Sequence, residues 1–267
     1  MSHIKIAVIK FGGNALTAES IQQFSQAIHR ITQTNTTLYP VIVHGGGPQI
    51  DTLLKALSLD VQFVDGLRYT NQDTLDVAEM VLSGQVNKQL VTGINALGGH
   101  AAGLSGKDGP TILAEKRQQN AQGQPIDLGY VGHIKQIQTH LLTTLINARF
   151  IPVISPLALG LDGNTYNVNA DDAAAAIAKA LNATHLVMMS NIPGLMDANQ
   201  HVIPHINCAQ IADLVKQKII HSGMIPKVYA AMDCLSAVNK VHIMDGRQPA
   251  QLAQLLAGEP VGTTITA

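Results

Sequence analysis

Residues 41–50 read VIVHGGGPQI: a run of β-branched apolar residues, three consecutive glycines, then a proline and the start of a helical pattern. Glycine loses more backbone freedom on ordering than any other residue, so Gly45, Gly46 and Gly47 need a compensating reason to sit where a buried strand ends. The usual reason is a ligand that must touch the backbone. Strand, glycine turn and helix in that order also form the repeating unit of an α/β fold, and the rest of the chain is read outward from it.

Short β-branched runs recur at 4–10, 100–104, 151–155, 185–190 and 240–244, in addition to 40–44. Helical patterns fall between them near 18–32, 48–57, 72–96, 137–148, 171–182 and 226–236. Strand then helix, repeated, predicts a mainly parallel sheet covered on both faces, an open α/β fold. Two stretches break the alternation, at 123–136 and 158–169. They carry turn signals, notably Asp162-Gly163, between short extended runs, and read as β-hairpins added to the sheet. A break between an N-terminal lobe (1–169) and a C-terminal lobe (170–267) is expected near Asn169, where ADDAAAAIAKAL starts a helix with Asp171 and Asp172 in its favourable first turn.

The chain has 267 residues, of which 46% are hydrophobic and only 13% charged, so it can bury a large core. Seventeen basic and eighteen acidic residues leave a net charge of -1, which offers no basic face to a nucleic acid. The opening MSHIKIAVIKFGG reads as a first strand and not a signal peptide, and no run reaches the roughly 18 to 20 apolar residues of a membrane helix. A cytoplasmic protein with no membrane partner is expected. Cys208 and Cys234 are too few for a disulfide framework and are expected to be buried and reduced. The eleven histidines show no metal-ligand spacing, so no protein metal site is expected.

In an open α/β sheet, ligands bind beyond the carboxyl ends of the strands. Three glycine-bearing stretches fall there: KFGGNA (10–15), HGGGPQ (44–49) and SNIPGLMD (190–197). They fit neither common nucleotide fingerprint: a dinucleotide motif from Gly45 fails at Ile50, and a Walker loop ending at Lys107 fails at Ala101 and Asp108. Successive backbone N–H groups at a helix start nevertheless form an anion-binding concavity, to which Lys10 would add a full charge. A second lysine, Lys227, follows Gly223 and Pro226 in HSGMIPKV. Spacing alone leaves it open between a solvent-facing helix lysine and a second charge for the same anion.

The stretches KFGGNAL, VIVHGGGPQID, GLRYT, MVLSGQVNKQLV, GLSGKDG, DLGYVG, YNVNADDAAAAIA, PGLMD and SGMIPKV, taken in order, resemble the successive motifs of the acetylglutamate kinase family, within the amino acid kinase superfamily. The resemblance covers essentially the whole chain. It implies an αβα fold and transfer of the γ-phosphoryl group of ATP, as its Mg²⁺ complex, to the side-chain carboxylate of N-acetyl-L-glutamate, the second step of arginine biosynthesis. By the same resemblance, Lys10 and Lys227 neutralise charge on the transferred group and Asp171 holds both lysines. Gly46 and Gly47 supply N–H groups on the substrate side, with Gly12 and Gly13 doing so on the nucleotide side. Arg68 and Asn167 bind the amino acid's α-carboxylate. The ATP pocket falls to Asn191, Gly194, Leu195 and Met196, with Ile219, Ile220 and His221. Asn191 and His221 depart from the family's usual Asp and small hydroxyl residue.

A homodimer paired through the N-terminal lobes is expected. Only Met1, Ser2 and His3 precede the first strand, too few for the N-terminal helix of arginine-inhibited hexameric members, so the resemblance implies neither a hexamer nor arginine feedback. Two rival readings are a kinase of carrier-bound aminoadipate or glutamate, and a catalytically inactive ligand-binding relative.

Overall fold

Strand β1 (Lys5–Phe11) lies inside an eight-stranded sheet and is buried on both faces. Its alternation divides it between two cores: Ala7, Ile9 and Phe11 face one helical layer, and Val8 faces the other. A strand covered on both sides must be apolar at successive positions, which is why the run reads as continuous and not alternating. The computed structural model describes residues 4–12, 16–35, 37–64, 67–120, 123–220 and 224–267.

Beside β1 lie β2 (Leu38–His44) and, on its other side, β11 (His185–Ser190), both parallel to it. The sheet continues past β2 through β8 (Ile151–Ser155) to β5 (Ala101–Ser105), again parallel. Past β11 it continues through β13 (Lys240–Asp245) and β14 (Thr263–Thr266) to β12 (His205–Asn207), with β13 and β14 antiparallel. All strands on the β2 side of β1 precede Asn169, and all on the β11 side follow it.

One helical layer holds α1 (Ala18–Thr34), α2 (Gly47–Ala56) and the long helix at 72–95, with α9 (Leu252–Ala257). Helix α1 has a capping box between Thr17 and Ser20, and its Phe24 stacks on Phe11 at 4.3 Å between ring centroids. The opposite layer holds α5 (His140–Asn147), α6 (Ala170–Ala180), α7 (Cys208–Lys216) and α8 (Met224–Cys234). The expected helix at 72–96 has one turn of a different kind: α3 (Gln72–Glu79) passes through a π-helical segment, Met80–Val86, into α4 (Asn87–Asn95).

The two extended insertions do not extend the main sheet. They build a separate four-stranded sheet in the order β10 (Thr165–Asn167), β9 (Leu157–Gly160), β6 (Ile112–Lys116) and β7 (Gly132–Ile137). Strands β9 (Leu157–Gly160) and β10 (Thr165–Asn167) form the hairpin expected at 158–169, turning at Gly163 with φ +84°. The hairpin expected at 123–136 is offset: β7 (Gly132–Ile137) pairs antiparallel with β6 (Ile112–Lys116), which lies before that range. The turn signal near 123 belongs to a small separate turn between β6 and β7, where the Gly123 N–H donates to Asn120 O at 3.1 Å and the Asn120 N–H to Gln124 O at 3.0 Å, beside the antiparallel bridge of Gln119 and Pro125. A further two-stranded piece, β3 (Phe63–Val64) and β4 (Leu67–Arg68), precedes α3. Cys234 is buried as expected, whereas Cys208, the first residue of α7, is half-buried; both are free thiols. Among the described residues, no helix is long and apolar enough to cross a membrane.

Candidate active site

Because β11, β1 and β2 are parallel neighbours, their carboxyl ends open on one edge of the sheet, and the three glycine-bearing stretches emerge there together. The first two touch. The Gly45 N–H donates to Phe11 O at 2.9 Å, and a Cβ on Gly12 would fall 2.7 Å from Gly45 N and 2.9 Å from Gly45 Cα. Any side chain at Gly12 would therefore part the two loops. Gly46 is the N-cap of α2 and Gly47 its first residue, so their N–H groups are among those a helix start leaves without intrahelical partners. Gly13, His221 and Gly223 lie outside the described residues.

Lys10 lies one residue before the end of β1, is only 8% exposed and stands at the same edge. Its partner comes from α6. Asn169 caps that helix by accepting the Asp171 N–H at 2.7 Å and the Asp172 N–H at 3.2 Å, which sets the first turn against the sheet edge. One Asp171 oxygen, Oδ1, lies 3.0 Å from Lys10 Nζ, an ion-pair contact off the hydrogen-bonding direction. The other, Oδ2, accepts from Lys227 Nζ at 2.9 Å. Burial alone would raise the Asp171 carboxyl, but the two ammonium groups outweigh it and hold the carboxyl below its ordinary range. The neighbouring Asp172 lacks such partners, and burial pushes it up. Lys227 is thus not a free surface lysine: one carboxylate ties β1 to α8.

Arg68 leads from this edge toward α2. Its Nη1 is ion-paired with Asp51, its Nη2 donates to Gly47 O at 3.2 Å, and its guanidinium lies 5.0 Å from the centre of the Phe63 ring. The side chain is 9% exposed, and Asp51 holds it beside the glycine loop. Asn167 is half-buried on β10, its backbone N–H bonded to Tyr130 O at 2.9 Å. The hairpin carrying it is clamped where Tyr166 donates its hydroxyl to Asp162 at 2.7 Å.

Beyond β11, the expected Gly194, Leu195, Met196, Ile219 and Ile220 converge around one cavity of about 250 Å³, which Met224 of α8 also lines. The same helix that closes this cavity therefore sends Lys227, one turn on, to Asp171. Asn191 is exposed and is not among the lining residues; its Oδ1 accepts from Ser190 Oγ at 3.3 Å. A larger concavity, about 910 Å³, lies between α1 and α4 and contains none of Lys10, Asp171 and Lys227.

Three features were not singled out in the sequence: Asp51, the partner of Arg68, and the buried pair His44 and Asn87 behind the glycine loop. Asp51 could have been suspected from its place one turn into the helix that the glycine stretch opens. His44 stands in the quoted motif itself, overshadowed by its glycines.

An edge carrying glycine loops and a carboxylate-bridged lysine pair, with an apolar cavity lined by the same helix, has the chemistry to hold anionic groups side by side. The amino acid kinase family matches residues 5–245, and the chain belongs to that family. Within it, the chain is 44% identical over 269 residues to the acetylglutamate kinase of Syntrophobacter fumaroxidans, covering 98% of this chain and 90% of that one. It is 43% identical to the acetylglutamate kinase of Ruthia magnifica, with the same coverage. The fold is also that of the N-acetylglutamate synthase of Neisseria gonorrhoeae, solved with coenzyme A and N-acetyl-glutamate: TM-score 0.84 at 21% identity, over 99% of this chain and 60% of that one. A synthase and kinases sharing one fold illustrate why architecture alone assigns no reaction.

Proposed function

We infer that this protein is an acetylglutamate kinase, transferring the γ-phosphoryl group of ATP to the side-chain carboxylate of N-acetyl-L-glutamate. The observation that carries the mechanism is the Asp171 carboxylate bridged between Lys10 and Lys227 at the sheet edge. The full-length identity to acetylglutamate kinases favours this substrate over a carrier-bound aminoadipate or glutamate, and the two lysines held on one carboxylate disfavour an inactive relative.

The substrate carboxylate, with a pKa near ~4.3, is already ionised at neutral pH and needs no general base. One of its oxygens attacks the γ-phosphorus, an O–P bond forms, the bond to the β–γ bridging oxygen breaks, and ADP departs with that electron pair. The barrier is electrostatic, because an anion approaches a polyanion, so catalysis consists of positioning and charge compensation. Lys10 and Lys227 supply that compensation while Asp171 spaces them. N–H groups of Gly46 and Gly47 serve the substrate and the moving phosphoryl group, and those of Gly12 and Gly13 do the same on the nucleotide side. Arg68 and Asn167 take the α-carboxylate; Asp51 aims the guanidinium but leaves it donors to spare. The cavity of Gly194, Leu195, Met196, Ile219 and Ile220, with Asn191 and His221 nearby in sequence, receives the nucleotide.

Ammonium and backbone N–H donors suit phosphate oxygens. Mg²⁺ enters as the ATP complex, carried by those oxygens; among the described residues no cluster of His, Cys, Asp or Glu is placed to hold it alone. In this reading residues 1–169 form the amino acid lobe and 170–267 the nucleotide lobe. The working form is a cytoplasmic homodimer paired through the N-terminal lobes.

The test is coupled ADP release with N-acetylglutamate, glutamate and aminoadipate as acceptors. Turnover with N-acetylglutamate alone is expected. Faster turnover with either competitor, or none with any acceptor, would sink the assignment.

A further inference from the structure

Asn87, the first residue of α4, is completely buried, as is His44 at the end of β2. The π-helical segment delivers Asn87 there: its backbone N–H donates to Leu82 O, five residues back. The sheet has made room for it, since a Cβ on Gly103 of β5 would fall 2.0 Å from Asn87 Oδ1. Asn87 Nδ2 reaches Val153 O at 2.9 Å, Leu104 O at 3.3 Å and His44 Nε2 at 3.2 Å, while Oδ1 accepts from Lys88 Nζ at 3.1 Å.

These contacts fix the protons by elimination. Carbonyl oxygens only accept, so the group facing Val153 and Leu104 is the amide NH₂. That NH₂ shares two protons among three acceptors and has no lone pair to offer, so His44 Nε2, which faces it, carries no proton, and the ring proton is on Nδ1. That nitrogen lies 2.9 Å from Gly45 O and donates to it. The Gly45 N–H is already given to Phe11 O, so both backbone polar groups of this residue are held, one by β1 and one by the histidine, and the planar link that carries the Gly45 carbonyl also carries the Gly46 N–H. The next two N–H groups along the chain are those of Gly46 and Gly47.

We propose that Asn87 and His44 are positioning residues for phosphoryl transfer: the π-helical turn, through Asn87 and then His44, fixes the Gly45 carbonyl and so aims the Gly46 and Gly47 N–H groups at the transferred phosphoryl group. The inference rests on the phosphoryl-transfer reading above. Its physical content is preorganisation, since donors aimed before the reaction cost no rearrangement during it. Neither residue needs to touch substrate.

The two nitrogens of His44 allow a discriminating experiment. His44→Asn places an amide NH₂ where Nδ1 stood and keeps the bond to Gly45 O; His44→Gln places an acceptor where Nε2 stood and keeps only the bond to Asn87. His44→Gln is expected to lower kcat by about 10-fold or more with KM for ATP little changed, as misaimed donors do, and His44→Asn to recover most of that loss. Equal kcat losses in both variants, in proportion to lowered Tm, would reduce the pair to fold support and overturn the proposal. A second readout needs no turnover. In ¹⁵N–¹H spectra, wild-type His44 should show the Nδ1–H tautomer, and Asn87→Ala should move the Gly46 and Gly47 amide signals. Unmoved glycine amides would overturn the proposal. Moved amides in a protein that releases no ADP with N-acetylglutamate would support it while refuting the substrate assignment.

Discussion

Side chains are tied by ion pairs and hydrogen bonds in two sets, β1, α6 and α8 through Asp171 and β4 with α2 through Arg68, and Lys10 and Arg68 are almost wholly enclosed. The cavity beyond β11 is of another kind: Leu195, Met196, Ile219 and Ile220 line it with apolar surface, anchored where the Leu195 N–H donates to Thr263 Oγ1 at 2.8 Å. Buried charge networks fix geometry, because each misplaced member leaves another without a partner. Apolar walls tolerate adjustment and contribute affinity in proportion to area. One region is therefore expected to control the rate, and the other the affinity for nucleotide.

The sharpest way to break that contrast is at the lysines. Lys10→Ala and Lys227→Ala should each lower kcat by about 10²-fold or more, with Arg restoring little because its planar fork does not suit a point-charge site. Steady-state kinetics showing near-normal kcat for either would remove it from the reaction. Next in size is Arg68→Ala, expected to raise KM for the amino acid by about 10-fold or more while KM for ATP barely moves, the loss of a charged clamp on the unreacting end. Asp51→Ala should do the same more weakly, since it only releases the guanidinium. Equal rises in both KM values would make the Arg68–Asp51 pair a structural salt bridge.

On the other side, Met196→Ala should raise KM for ATP by only about threefold and leave kcat unchanged, the scale of a few lost methylene contacts. A kcat effect there would dissolve the division between the regions. The mildest test is pH. His44, near Lys88, is held down to about 4 by burial; His185, facing Lys240 and Lys5, to about 4; and His242, facing His185, Lys240 and His205, to about 3. The unfolded chain takes up these protons below about pH 6.5 and the folded chain does not, so stability is full above that pH. It falls on acidification by up to about 1.4 kcal/mol per pH unit for each histidine. Urea midpoints at pH 7, 6 and 5 check this. A flat profile would mean that these rings accept protons without disturbing the fold.

The central parallel strands β1, β2, β8 and β11 were legible because each is buried on both faces and reads as a nearly unbroken apolar run, whereas the short, mostly exposed β12 was not read, and the helix of Asp171 was legible because its first turn and alanines agree. The separate sheet was not: β6 contains Glu115 and Lys116 and is covered on one side only, so it carries no continuous run. The C-terminal α7, α9 and β14 are short and drew no attention for the same reason. At the site, the glycines and lysines were visible as residue types with few alternative uses at a strand end. Asn87 was not, because nothing in SGQVNKQLV distinguishes a π turn from an α turn; only packing against β5 and β8 does so.

The Asp171 bridge also bears on how the protein comes into being. Lys10 is made early, Asp171 well past the middle of the chain, and Lys227 late. Once Asp171 has been made and before Lys227 follows, the first lysine and the carboxylate alone cancel to zero. The emerging polypeptide therefore offers nucleotide phosphates no surplus positive charge at this edge. Only when α8 docks does the trio acquire a net charge of about +1, at neutral pH where lysine and aspartate are ionised. The surplus positive charge at this edge thus depends on a helix that arrives after Lys10 and Asp171 are already available to pair.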